Sequence, residues 1–170
     1  MRKLSLSGYA FVFLWSAWLF ALQGFLASAW LGAWTPDLGL VLLLALDARL
    51  ETAETRRAAL LVALARATFS ADAPAALVAG YLAVTGITRA LRGGLEIDGF
   101  LPRAILAAGL AGALAAWWML CYQLAQPGVQ VAIALVDLWP TAVASGTAAL
   151  VFTPLAIRLP GFASIRRRRR

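Results

Sequence analysis

Long apolar runs separated by short polar gaps dominate the chain. A helix needs about 20 mostly apolar residues to cross the roughly 30 Å hydrocarbon core of a bilayer. Because such runs recur along the whole sequence, the pattern predicts an all-α membrane protein, a compact bundle of six short transmembrane helices. The six runs are residues 6–29, 38–46, 58–69, 73–91, 104–124 and 131–157.

The second and third runs are short for membrane crossings. Each has roughly 12 residues, or about 18 Å of helix. Either flanking residues complete two thin crossings, or the pair forms a re-entrant hairpin buried by the other helices. We expect two full crossings. Pro36 and Asp37 suit the start of the second helix, since Pro is tolerated in a first turn and a carboxylate is favoured at a helix N-terminus.

The basic residues predict the orientation of these helices. Lys and Arg translocate poorly and accumulate in cytoplasmic loops. All but one of the 15 basic residues lie at the termini or in alternate gaps, which predicts six crossings with both termini in the cytoplasm. These residues are Arg2, Lys3, Arg49, Arg56, Arg57, Arg89, Arg92, Arg103, Arg158, Arg166, Arg167, Arg168, Arg169 and Arg170.

The composition is that of a membrane protein, and it gives the net positive charge of the chain a different interpretation from the one it would have in a soluble protein. The 170 residues are 62% apolar with a mean hydropathy of +0.81, whereas soluble proteins are about 45–50% apolar. Residues 1–160 are expected to form one transmembrane domain, and 161–170 a basic cytoplasmic tail. The net charge of +7 then reflects basic residues that fix the orientation of the helices and tail arginines that contact anionic lipid. No nucleic-acid partner is expected.

The residue inventory argues against catalysis. The sequence contains no histidine, and its one cysteine, Cys121, lies in an apolar run. Ser–His and Cys–His pairs and the helical His-based metal motif are therefore excluded, as is a disulfide within the chain. Because no two carboxylates fall together at mid-membrane, we expect no catalytic, metal or cofactor site.

Arg66 is the one basic residue outside the alternating pattern. A charge at the centre of a bilayer costs about 2.5–3.5 kcal/mol on insertion scales, so Arg66 should face the bundle or reach the outer surface. Asp72 and Asp37 are its candidate partners at the outer level. Two interpretations stay open: an ion pair that pins the outer ends of helices two to four, or a site for a ligand or partner helix.

Other polar positions have simpler expected roles. Residues 47–57 should form a solvated cytoplasmic turn in which Glu51 or Glu54 pairs locally with arginine. Asp137 is expected as an interfacial carboxylate, and Pro154 as a kink near the inner end of the sixth helix. Ala27-Ser28-Ala29 resembles a signal-peptide cleavage site, but the apolar run before it is long enough to favour a retained first helix.

Small residues recur at four-residue spacing, which lets helices approach closely in lipid. The rows that contain glycine are the strongest candidates for helix contacts. They are Ala76 with Gly80, Ala108 with Gly112 and Ala116, and Ala142 with Gly146.

Several short motifs resemble the MreD family of rod-shape proteins. Residues 35–46 read TPDLGLVLLLAL, similar to the Pro-Asp and Leu-rich second helix of that family. The turn SADAP at 70–74, the Gly80-Tyr81-Leu82 triplet and the Pro154 near the end of the last helix also match. The chain departs from the family where Ala59 and Ala63 replace glycines and where Arg66 replaces an acidic residue.

The resemblance implies a function without catalysis. MreD-like proteins lie in the inner membrane beside MreC, in the machinery that organises peptidoglycan synthesis and cell shape. A MreC-like single-pass protein, together with the synthases of the rod complex, would then be the partner. Pro36, Asp37, Arg66, Asp72, Gly80, Tyr81, Asp137 and Pro154 are the candidate partner-binding or outer-level polar residues.

The same resemblance leads to the alternative function. The MreD fold is thought to be similar to that of the substrate-binding subunits of energy-coupling-factor vitamin transporters. This chain could then bind a vitamin-like metabolite among the outer ends of its helices. In that case Trp30, Trp34 and Trp139 would line a pocket instead of forming the aromatic belt common at membrane interfaces.

Overall fold

The computed structural model describes residues 4–94, 99–126, 138–156, 158–160 and 162, and within these ranges it contains helices and no β-strand. The predicted all-α class is thereby confirmed. Asp137 and Arg166 to Arg170 lie outside the described residues. The helices are α1 (Leu6–Leu26), α2 (Leu38–Asp47), α3 (Thr52–Ala67), α4 (Pro74–Gly94), α5 (Phe100–Ala125) and α6 (Leu138–Ala156).

Four helical segments in the described part of the chain are long and apolar enough to cross a membrane. They are Leu6–Trp34, Pro74–Gly94, Leu101–Ala125 and Leu138–Ala156. The first extends α1 through a π-helical turn, Ala27–Leu31, and a 3-10 turn, Gly32–Trp34. Gly32 has a φ of 51°, a backbone conformation that favours glycine, and it ends the π-helical turn.

α2 is the central helix of the bundle. All ten of its residues are buried, and it contacts α1, α3, α4, α5 and α6. Gly39 permits the close approach of α1, because a Cβ at this position would lie 2.3 Å from Cζ of Phe20. Ten residues give about 15 Å of helix, half of the hydrocarbon thickness. The expectation that flanking residues lengthen this helix was wrong.

α3 is longer than its apolar run because the polar stretch before it joins the helix. Thr52 is its first residue, and Glu54 and Thr55 in its first turns are buried. Glu54 accepts hydrogen bonds from the hydroxyl of Tyr9 and from the backbone N–H of Leu4, which lies 3.2 Å away. It also pairs with Arg57 at 3.1 Å, as expected from their spacing. The predicted solvated turn is thus only partly confirmed, because Ala48, Thr52, Ala53, Arg56 and Arg57 are exposed whereas the N-terminal segment covers Glu54.

The small-residue rows pack helices of the chain against each other. A Cβ on Gly146 of α6 would lie 3.0 Å from the carbonyl oxygen of Ala104 and from Cβ of Ala108 on α5. A Cβ on Gly80 of α4 would lie 2.8 Å from Cδ1 of Leu114, also on α5. Helices in lipid gain stability from such close contacts, so these two glycines serve the internal packing of the bundle.

Candidate functional site

A buried acidic residue lies at each end of α2, and each is paired with arginine. Asp37 precedes the first turn of α2, and Asp47 is its last residue. We call the group of Asp37, Arg66, Tyr81 and Trp118 the Asp37 cluster, and the group of Asp47, Arg89 and Arg92 the Asp47 cluster.

The sequence around Asp37 makes it a helix cap as well as an ion-pair partner. Its Oδ1 accepts a hydrogen bond from the backbone N–H of Leu40 at 2.8 Å. Its own backbone N–H donates to Oγ of Ser145 on α6 at 2.9 Å, and the N–H of Leu38 donates to Oε1 of Gln23 on α1 at 3.2 Å. These bonds satisfy N–H groups that a helix start leaves unpaired, and they tie α2 to α1 and α6.

Arg66 completes the Asp37 cluster from α3. Its Nη1 donates to Oδ2 of Asp37 at 2.7 Å and to the hydroxyl of Tyr81 at 3.1 Å. The Tyr81 hydroxyl in turn donates to Oδ1 of Asp37 at 3.3 Å. The guanidinium carbon of Arg66 lies 3.5 Å from the ring centroid of Trp118 on α5. Four helices therefore meet at one charge pair, and a cation–π contact adds to it.

The Asp37 cluster lies inside the bundle and not at its end. Tyr81 comes seven residues after Pro74, the first residue of α4, a distance of about 10 Å along the helix. The carboxylate of Asp37 is 4% exposed and the side chain of Arg66 is 15% exposed. Breaking a buried pair by removing one partner costs about 3–5 kcal/mol, so each charge requires the other.

A small cleft connects Arg66 to the surface. It has a volume of about 190 Å³ and is lined by Phe20, Gln23, Gly24, Ala27, Arg66, Phe69 and Ser70. Sites that enclose a drug-sized ligand have volumes of about 300–1,000 Å³. The cleft is therefore too small for a vitamin-like molecule, although it brings one edge of the guanidinium within reach of solvent.

The remaining candidates from the sequence do not join the Asp37 cluster. Asp72, the other expected partner of Arg66, is half-buried and accepts a hydrogen bond from the hydroxyl of Ser70. Gly80 is buried against α5, and Pro154 is an exposed residue inside α6, two residues before its end. Pro36 lines an apolar groove between α1 and α6.

Sequence reasoning missed the Asp47 cluster. Nε of Arg89 and Nη1 of Arg92, both on α4, each lie 3.1 Å from a carboxylate oxygen of Asp47. Arg89 also donates to the hydroxyls of Thr52 and Thr55 and to the carbonyl oxygen of Leu50. The signal was present in the sequence: a carboxylate that ends an apolar run, and two arginines spaced to share a helix face.

An apolar groove of about 700 Å³ lies between the C-terminal half of α1 and α6. Among the described residues that line it, Thr147 carries the one hydroxyl, and that hydroxyl bonds to carbonyl oxygens of its own helix. The rings of Trp34 and Trp139 pack edge to face with centroids 4.9 Å apart, whereas Trp30 is 84% exposed. Two of the three tryptophans thus pack together beside this groove, and the third faces outward.

The described residues contain no group of three or more His, Cys, Asp or Glu side chains that could hold a metal ion. Comparison of the chain with protein-family models, with curated proteins and with solved structures finds no match.

Proposed function

We propose that this protein is a non-catalytic inner-membrane component of the rod, or elongation, complex. In this function it binds a MreC-like single-pass membrane protein and helps to organise peptidoglycan synthesis and cell shape. The proposal rests on the motifs that resemble the MreD family and on the place of those motifs in the fold.

The observation that carries the proposal is the position of the segment with the strongest resemblance. Residues 35–46 contribute the whole of α2 apart from Asp47, and this helix is entirely buried. Its ends are fixed by the Asp37 and Asp47 clusters, so that its polar groups are directed at other helices of the chain. A central helix held in this way favours a rigid scaffold whose outer faces bind other proteins.

The outward face of α4 fits the partner. Ala75, Ala79, Ala83, Gly86 and Ala90 are all exposed and follow one another at spacings of four, four, three and four residues, which places them on one side of a helix. A Cβ on Gly86 would have no heavy atom within 4 Å. Small residues let a second helix approach closely in lipid, so this strip is the surface that we assign to the MreC-like helix.

The proposed topology follows from the distribution of basic residues. Six crossings place both termini, the Asp47 cluster and the start of α3 in the cytoplasmic half of the inner membrane, and the Asp37 cluster in the outer half. α2 is too short to reach both surfaces alone. Its ends would be covered by protein at depths where lipid could not satisfy its polar groups.

Cell shape after depletion tests the proposal. Loss of the protein from its host should make the cells wider or round, and the wild-type gene should restore their original shape. Cells that keep their width after complete depletion would contradict the proposed function.

The alternative function is a substrate-binding subunit of an energy-coupling-factor type transporter. The observation that favours it is the groove beside Trp34, whose volume of about 700 Å³ falls within the range of small-molecule sites. The groove offers few polar groups to orient a metabolite, which favours lipid chains as its contents. A stoichiometric metabolite that co-purifies with the protein would support the alternative instead.

A further inference from the structure

The Asp47 cluster has more positive than negative charge. Two arginines face a single carboxylate, so the cluster carries a net charge of +1. The carboxylate also lies at the C-terminus of α2, where the helix dipole disfavours an anion. Among the described residues, one arginine would suffice to neutralise Asp47, and no further carboxylate is paired with the second.

The two arginines differ in how they are bound. Arg89 is held by two threonine hydroxyls and a backbone carbonyl besides Asp47. Among the described residues, Arg92 makes one ion pair, between its Nη1 and Oδ2 of Asp47. A guanidinium offers five N–H donors, so this single pair leaves several donors of Arg92 available. Arg89 thus has a structural role, and Arg92 has donors to spare.

These donors border an open cleft. The cleft has a volume of about 230 Å³ and is lined by Asp47, Arg89, Arg92 and Gly93. The side chain of Arg92 is 24% exposed, and a Cβ on Gly93 would have no heavy atom within 4 Å. The cleft is therefore reachable from outside the bundle and has room for a small group beside the guanidinium.

We propose that this cleft binds a phosphate-type anion, with Arg92 as its principal ligand. A phosphate oxygen matches the planar fork of arginine donors, and its charge balances the excess at the cluster. The anion can be the headgroup of an anionic phospholipid, since basic pockets between transmembrane helices suit such groups, or a soluble phosphate. The inference rests on the proposed topology but does not depend on the proposed role in cell shape.

Binding of phosphatidylglycerol to the purified full-length protein in detergent, measured by native mass spectrometry, tests this site. We expect saturable binding that weakens about fivefold in Arg92→Gln, since one arginine contributes roughly 1 kcal/mol of attraction. Arg56→Gln is the matched control, because Arg56 is exposed on α3 and undergoes the same charge change. The C-terminal arginines are present in both variants, so the difference isolates the cleft.

A second pair of variants tests the site without removing any contact of Arg92. Gly93→Glu adds a carboxylate to the open mouth of the cleft and should weaken binding at least as much as Arg92→Gln. Gly93→Ala should bind like the wild type. Competition by inorganic phosphate at the concentrations that saturate the site would identify the soluble anion as the ligand, and resistance to it would identify the headgroup. Equal binding by both arginine variants, or by both glycine variants, would overturn the proposal.

Discussion

Single residues show best what the sequence can reveal. Arg66 is conspicuous because it is the one basic residue outside the alternating pattern. That anomaly predicted a buried ion pair with Asp72 or Asp37, and the structure pairs Arg66 with Asp37. The hydroxyl of Tyr81 and the ring of Trp118 could not be assigned, because their contacts depend on how α4 and α5 approach α3. Asp47 was missed because it was assigned to the polar turn that follows the apolar run, whereas its partners lie on α4.

Removal of Arg66 should destabilise the protein strongly. Arg66→Ala leaves the buried carboxylate of Asp37 without its cation, which costs about 3–5 kcal/mol. Tyr81→Phe removes the hydrogen bonds of the hydroxyl but leaves the charges of Arg66 and Asp37 paired, so it should cost about 0.5–1.5 kcal/mol. The free energy of unfolding in mixed detergent micelles measures both, with Arg56→Ala as the control at an exposed site. A value for Arg66→Ala equal to that of the control would show that the pair contributes nothing.

At the scale of helices, hydrophobic patterning predicted which segments are helical, but it did not predict the length and burial of the two short helices. The bounds of α4 and α5 lie within a few residues of the apolar runs, since each is long and continuous. α2 and α3 depart from the prediction in opposite ways. α2 keeps the length of its apolar run, because other helices cover both of its ends. α3 begins six residues before its run, because Tyr9 and Leu4 of the N-terminal segment provide partners for Glu54.

The proposed orientation can be tested by thiol labelling of intact cells. In a Cys121→Ala background, Ala71→Cys places a thiol between α3 and α4, and Gly94→Cys places one at the last residue of α4. The distribution of basic residues predicts that a membrane-impermeant maleimide labels position 71 directly and position 94 only after the inner membrane is permeabilised. The opposite result would reverse the topology, and labelling of both positions would show that α4 does not cross the membrane.

The partner surface on α4 can be tested by adding bulk at Gly86. Gly86→Ile fills open space, so the bundle should stay intact while the approach of a second helix is blocked. Gly109→Ile on α5 is the matched control, because that glycine is also exposed and a Cβ there would likewise have no heavy atom within 4 Å. We expect at least a tenfold loss of partner recovery for Gly86→Ile alone, a loss of about 1.4 kcal/mol in binding. Equal recovery with both variants would exclude the α4 strip.

The whole molecule is a helical bundle built around one buried helix. In the part of the chain that the structure describes, the interior is occupied by α2 and by two ion-pair clusters, and the accessible surfaces are helix faces, the apolar groove and two small clefts. The sequence predicted an all-α bundle from periodic apolar runs. It could not predict that the segment most similar to MreD would be enclosed, because burial of α2 depends on contacts with five other helices.

Affinity purification in mild detergent, followed by mass spectrometry of proteins and small molecules, tests the central claim most directly. The account predicts that a MreC-like single-pass protein is recovered with the wild type and with Gly109→Ile, and is lost with Gly86→Ile. Recovery of an ATPase module and a stoichiometric metabolite, without a MreC-like protein, would contradict the scaffold function and establish a transport subunit in its place.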